Sequence, residues 1–397
     1  MISRTPLAPT AATEGSDTAA PAGAVKTIGG AVTRGVLGAG MLVMPPVVLG
    51  LAGSLTPWAW GFHLLLGGAV ALVLALLVRQ GARPAPLSVS MGELLGTWAA
   101  RSIDGVFAVA FTAGQAAIAW FAASYALAAA SGGRLQPANA NGLLLALGIL
   151  ATALGLALAG VRPAPLLLRI RPWATGALAM ACAAAGWPIA AEDGSPLGPP
   201  GTLESGGFWT AVAVLFFAGV GWETVTTAVP GMRARRSHII GGVLFGTVAV
   251  AGVYLGIAVV HQRMSGSYGE ADRLPAWSQY VLAGAVVILA ASYCFTNIRT
   301  ASVIASRLRA GEGFVTRPVT LIIGLMCAVF ACVGMRAGGV PLLLLGPAVA
   351  ALTGYSVGMF AAVKRGGRGL SATAGVVLLT LLGSGALVLW ELSGVNS

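Results

Sequence analysis

Apolar runs of about twenty residues follow one another along nearly the whole chain, separated by short basic loops. A helix of roughly that length crosses the hydrocarbon layer of a bilayer. A soluble fold is excluded, because 57% of the 397 residues are hydrophobic and only 9% charged. That leaves too little polar surface to cover a globule of this size. The pattern predicts an all-α integral membrane protein with eleven spans, at about 28–51, 57–78, 105–130, 142–160, 172–191, 208–231, 239–261, 277–308, 318–335, 341–362 and 372–391. The fourth and fifth spans meet at a short loop holding Pro163 and Pro165.

The formal net charge of +11 does not mark a nucleic-acid binder, since the basic residues lie in loops between spans. With the N-terminus placed inside, the inner segments hold 17 of the 23 Lys and Arg and the outer segments four, while Arg34 and Arg299 fall within spans. That bias predicts a multi-pass protein of the cell membrane, with its N-terminus cytoplasmic and its C-terminus outside. Residues 1–27 are rich in Ala, Thr and Pro and lack an apolar signal core. They are expected to form a disordered cytoplasmic tail, the first span serving as its own insertion signal. Cys182, Cys294, Cys327 and Cys332 all fall in spans and have no metal-site spacing. His63, His238 and His261 show none either, so no metal or other cofactor is expected.

Two spans carry their own interruptions. The first contains "GVLGAGMLVMPP", Gly35 to Pro46, and the sixth contains "FFAGVGWETVTTAVPG", Phe216 to Gly231. Glycines in mid-span and prolines nearby break a helix where lipid supplies no hydrogen bonds, which is tolerated only where protein or a water-filled cavity satisfies the backbone. The two spans open consecutive groups of five. Five being odd, the second group enters the membrane from the opposite side, as in inverted-repeat transporters with a midplane site. The expected organisation is a first five-helix repeat at 28–191, an inverted second at 208–363, and an extra helix at 372–391.

In this arrangement the amides around Gly38, Ala39, Gly40 and Met41 are placed to hold a carboxylate at a helix N-terminus. The carbonyls of Phe217, Ala218 and Gly219, with Gly221 beyond them, are placed to hold an ammonium group. The implied partner is a small zwitterion within the lipid bilayer. Glycine also serves close helix packing in membranes, and either motif alone fits that use; the pair, in register in both halves, favours a site.

These two motifs also carry a resemblance. "GVLGAGMLVMPP" resembles the first-helix signature of the amino acid–polyamine–organocation superfamily, and "FFAGVGWE" resembles its sixth-helix signature. With Trp58, Ala59 and Trp60 at the second helix, the chain looks most similar to bacterial exporters of branched-chain amino acids and methionine. The resemblance covers about residues 28 to 363 and implies a leucine-transporter-type fold of five plus five inverted helices with alternating access. It implies a substrate site at the broken helices, and in sodium-coupled relatives an ion site built from hydroxyls on the eighth helix. Thr296, Asn297 and Thr300 in "SYCFTNIRTAS" are the nearest candidates here, and hydroxyls bonded to their own helix are the alternative. The chain departs from the family at "PGMRARRSHIIGG", where Gly231 stands near the usual acid of the inner loop. It also lacks a Lys in the fifth span, so a lysine-based proton switch is not expected. Coupling to a proton or a sodium gradient stays open.

Glu223 is the acid nearest the bilayer centre, and an ionised carboxylate there needs a partner or water. Arg34 and Arg299 lie in the same half of their spans, so Glu223 is expected to pair with one of them, either as a gate or as a fixed ion pair. Trp222 beside the break and Trp120 in the third span are candidate substrate-binding aromatics, with Gln115 and Tyr125 as weaker candidates. The expected function is secondary transport of a small amino acid, in the efflux direction on resemblance. An importer of another small amine or polyamine and a non-transporting membrane sensor are the alternatives. An enzyme would need a cluster of His, Asp or Ser at one membrane face, and the sequence offers none.

Overall fold

The computed structural model describes residues 23–79, 81, 83–131, 139–192, 207–218, 220–263, 276–310, 316–336 and 340–393. The proposed tail, up to residue 22, lies outside them. All eleven predicted segments are helical. The first is split into α1 (Ala24–Val36) and α2 (Gly40–Ala52), and the second is α3 (Thr56–Val78). A short α4 (Leu87–Leu95), not expected from the sequence, precedes the long α5 (Thr97–Ala130). α6 (Ala140–Leu158) and α7 (Pro165–Glu192) complete the first half. The sixth segment is split into α8 (Phe208–Ala218), a 3-10 turn at Trp222–Thr224, and α9 (Val225–Ala228). Then follow α10 (Arg236–Arg263), α11 (Ala276–Ala310), α12 (Arg317–Arg336), α13 (Val340–Arg365) and α14 (Arg368–Leu392). Among the described residues, eight helices are long and apolar enough to cross a membrane, or nine with α8 and α9 taken as one span bent by 41°.

Like α5, which starts at Thr97, the fifth span, α7, begins about two turns before its predicted start, at Pro165. Pro163 and Pro165 read as loop residues, but a proline at the first helical position loses no hydrogen bond and is set to the right φ. The early start draws Arg169 and Arg171 into the helix.

The packing has a two-fold pattern. α1 lies along α10, and in the matching place of the second half α8 and α9 lie along α3. α6 packs on α11 as α12 packs on α5, while α5 and α11 cross at the centre. One pair breaks the symmetry: α13 packs closely on α5, whereas α7 rests mainly on α10, α2 and α1, with at most sparse backbone contact to α11.

Polar contacts staple the two ends of the bundle. On the face from which α1 starts, Arg307 donates to both carboxylate oxygens of Asp104, at 2.7 and 3.2 Å, tying α11 to α5. Thr226 Oγ1 donates to Ala85 O, joining α9 to the loop after α3. On the far face Glu391, near the end of α14, accepts from the amides of Trp209 and Thr210 and from the Thr210 hydroxyl, at 2.7–3.0 Å. A carboxylate from the extra helix therefore caps the positive end of α8.

Glu391→Ala is expected to cost about 1 kcal/mol through the lost cap, lowering the thermal unfolding midpoint of the detergent-solubilised protein. Leu379→Val, on the exposed face of α14, is expected to leave the midpoint unchanged.

Candidate functional site

Both interruptions fall where glycine clusters, and the two breaks touch. At the first, α1 closes with Leu37 N–H on Thr33 O, and the chain resumes as α2 at Gly40. Of the first amides of α2, that of Met41 reaches Gly38 O at 3.2 Å, and Ala39 at the cap supplies no side-chain acceptor for the others. At the second, Gly221 takes φ +147°, which only glycine adopts without strain. Its carbonyl accepts from Thr224 Oγ1 at 2.7 Å, and the same hydroxyl lies 3.2 Å from Ala31 O on α1. A Cβ on Gly35 would meet Gly221 O at 2.6 Å, and one on Gly221 would overlap Gly35 O. Farther along, a Cβ on Gly40 would reach Ala218 Cα at 2.5 Å. The two broken helices thus meet twice, each time at a glycine.

Between these contacts lies a cavity of about 270 Å³. The structure brings Gly38, Ala39, Gly40, Phe217, Ala218, Gly221, Glu223, Arg34, Asn297 and Thr300 together along its wall. Gln115 joins them and accepts a hydrogen bond from Asn297 Nδ2 at 3.2 Å. Phe111, Ile118 and Phe217 supply apolar wall, the Phe217 ring lying against Gly114, where no Cβ would fit. A second cavity of about 310 Å³ shares Phe111, Glu223, Thr224 and Thr300 with the first and runs past Thr226 to Asp104 and Arg307. The central cavity is bordered by a largely apolar vestibule on the face from which α1 starts, with the Asp104–Arg307 pair at its far end.

Several expected residues stand elsewhere. Met41 is 1% exposed, buried toward α7 rather than lining the cavity. Trp120 packs over Gly142 and donates its indole N–H to Ala331 O at 3.0 Å, joining α5 to α6 and α12. Trp222 points away from the cavity into a notch of α3, where a Cβ on Gly67 would overlap its ring, so it packs in the core instead of lining the cavity. Tyr125 does not line the cavity. Gly219 lies outside the described residues.

Glu223 makes no ion pair with Arg34 or Arg299 among the described residues. Its Oε2 accepts from Tyr355 Oη at 2.6 Å and from the Gly221 amide at 2.9 Å. The carboxylate therefore folds back on its own break, because a backbone donor two residues away and a buried phenol are nearer than either guanidinium. Arg299 instead donates to Val161 O in the loop after α6, and Arg34 lies along its own helix toward Gly30.

Arg171 was missed, because the expected fifth span began one residue beyond it. In the structure it lines the cavity. Its Nη1 donates to Thr296 Oγ1 at 2.8 Å, Ser292 O at 3.0 Å and Ser292 Oγ at 3.3 Å. Its guanidinium lies 3.8 Å above the Tyr293 ring, and its Nε has no hydrogen-bond partner among the described residues. Tyr293 in turn meets Thr175 Oγ1 at 3.2 Å and Leu37 O at 3.5 Å. An arginine thus occupies the oxygens of α11 around Thr296, one of the three candidate ion ligands. Its only signal in the sequence was helical spacing: Arg171 stands one turn before Thr175.

No protein-family profile matches this sequence, and no curated protein matches it. Solved structures do. The chain aligns with the crystal structure of MhsT in complex with L-phenylalanine at a TM-score of 0.61 and 16% identity, over 92% of this chain and 98% of that one. At that identity the likeness shows the fold, which is the leucine-transporter type with inverted five-helix halves and interrupted first and sixth helices.

The space around the glycines separates two effects. A Cβ on Gly38 has only Val36 O within 4 Å, at 3.8 Å. Gly38→Leu is therefore expected to fill the cavity and leave the unfolding midpoint near that of the parent protein. Gly40→Leu, forced against the α8 backbone, is expected to lower it by several degrees. Thermal unfolding in detergent, with thiol labelling of an Ala110→Cys probe in a Cys182→Ser, Cys332→Ser background, checks both; labelling should slow in the Gly38→Leu protein.

Proposed function

We propose that this chain is a secondary transporter that carries a small amino acid across the cell membrane by alternating access. The observation that carries the reading is the cavity between two interrupted helices, with peptide dipoles of opposite sense at its wall. The amides of Gly38, Ala39 and Gly40, leading into α2, present donors to a carboxylate. The last carbonyls of α8, at Phe217 and Ala218, present acceptors to an ammonium group, and Phe217, Phe111 and Ile118 offer surface to a side chain. A cavity of about 270 Å³ stands below the range of roughly 300–1,000 Å³ typical of drug-sized ligands, in keeping with a solute of few atoms. MhsT holding L-phenylalanine supports the same substrate class.

The lining charges favour a zwitterion over a polyamine. Arg34, Arg171 and Glu223 are the charged groups at the wall, and Glu223 is already bonded to Gly221 and Tyr355. A dication would meet two guanidiniums and one committed carboxylate. Of the two gradients, we favour protons, with Glu223 as the titrating group. A hard cation needs oxygen ligands, and around Thr296 these are held by Arg171. The efflux direction rests on the family resemblance and the cytoplasmic N-terminus on the loop charges, both as proposals.

Counterflow of labelled amino acids in proteoliposomes tests this reading. Exchange of at least one neutral amino acid is expected, stimulated by a pH gradient and indifferent to sodium. A protein that binds amino acids without exchanging them would be a sensor, and the transport reading would fall. Glu223→Gln is expected to insert normally but transport poorly. Arg171→Ala is expected to lose roughly tenfold or more in exchange, from hydrogen bonds to a charged group worth ~1.5–3 kcal/mol.

A further inference from the structure

A third cavity, of about 240 Å³, lies apart from the transport site where α6, α11 and α12 meet. Arg299 of α11 and Arg317 at the start of α12 both face it, with Gly160, Leu158, Val303 and Thr320 around them. It contains no acid, and neither arginine has a carboxylate partner among the described residues. Arg299 uses one donor on Val161 O, which leaves the rest of its fork for the cavity. The chain turns there through Gly160 at φ +71°, so the backbone bends around the pocket instead of filling it.

Its surroundings indicate what would occupy it. The pocket lies at the end of α6 and the start of α12, beside the basic loop that carries Arg162. Below it, Leu156 of α6 and Leu321, Ile322 and Leu325 of α12 are exposed to 42–58%, as side chains facing lipid are. Two guanidiniums at the headgroup level above an apolar wall match a phosphodiester with acyl chains beneath it. The headgroup must be anionic, since a choline or ethanolamine ammonium would be repelled by the same pair of charges.

We propose that this pocket binds an anionic phospholipid of the adjoining leaflet, its phosphate between Arg299 and Arg317 and its chains along α6 and α12. The lipid bridges three helices, one of which, α11, carries the cavity residues Asn297 and Thr300. Anionic lipid therefore steadies that wall of the transport cavity. The proposal does not depend on what the central cavity carries.

Native mass spectrometry of the full chain in neutral detergent, titrated with phosphatidylglycerol or phosphatidylcholine, tests it. The parent protein is expected to prefer phosphatidylglycerol by roughly tenfold, as two basic contacts to an anionic headgroup allow. Arg299→Gln with Arg317→Gln is expected to abolish the preference, while Arg235→Gln with Arg236→Gln, equal in charge but distant, keeps it. Thermal unfolding in lipid-free detergent establishes that each variant is folded, and the single variant Arg317→Gln, altering only the exposed arginine, is a second probe should the pair misfold. Equal binding of the two lipids, or equal loss in both double variants, overturns the proposal. Stabilisation by inorganic phosphate matching that by phosphatidylglycerol would make the ligand a free anion and overturn the lipid assignment.

Discussion

Inside hydrocarbon a peptide group can bond only to protein, and the centre of this molecule is organised around two places where the helix lets such groups go. Most of them are taken up at once. The Gly221 carbonyl takes Thr224, and its amide takes Glu223. The Val36 carbonyl accepts from Tyr254 of α10, at 2.8 Å, and the Leu37 carbonyl faces Tyr293 of α11. Glycine at 35 and 221 lets the breaks lie one on the other without side chains between them. At the head of α2 the Met41 amide reaches back to Gly38 O, while Gly38, Ala39 and Gly40 border the cavity, where a solute is a natural partner for backbone groups.

The broad architecture could be read from the chain because its signals are long or doubled. Eleven apolar runs and two glycine-proline interruptions survive any single misjudged residue. The start of α7 rested on two prolines that suit a loop and a helix start equally well, and that ambiguity hid Arg171. Trp120 and Trp222 were misplaced for another reason. Which way an aromatic points around a helix depends on where a neighbour offers a notch, here Gly142 and Gly67, and those lie far away in sequence. Glu223 shows a third limit. Pairing it by opposite charge overlooked an uncharged phenol, Tyr355, from a helix more than a hundred residues on.

The two halves of the fold repeat one plan with different chemistry at corresponding seams. α13 lies against α5 through dry contact, with the Phe107 ring fitted to Gly354. At the matching seam α7 reaches α11 through the long side chain of Arg171, whose three acceptors all lie on α11. Apolar packing resists separation over its whole area. A hydrogen-bonded guanidinium can exchange its partners for water as the helices part. The seam held by Arg171, beside the central cavity, is therefore the softer of the two.

The carboxylate that α14 lends to the head of α8 has a consequence for how such a molecule can rock. α8 cannot swing without carrying the last helix along, or else surrendering three hydrogen bonds. α2, the other half-helix at that face, takes no carboxylate from a neighbour among the described residues. The two half-helices there are held unequally: α2 moves as a single rod, and α8 as a braced pair with more mass and drag in the lipid.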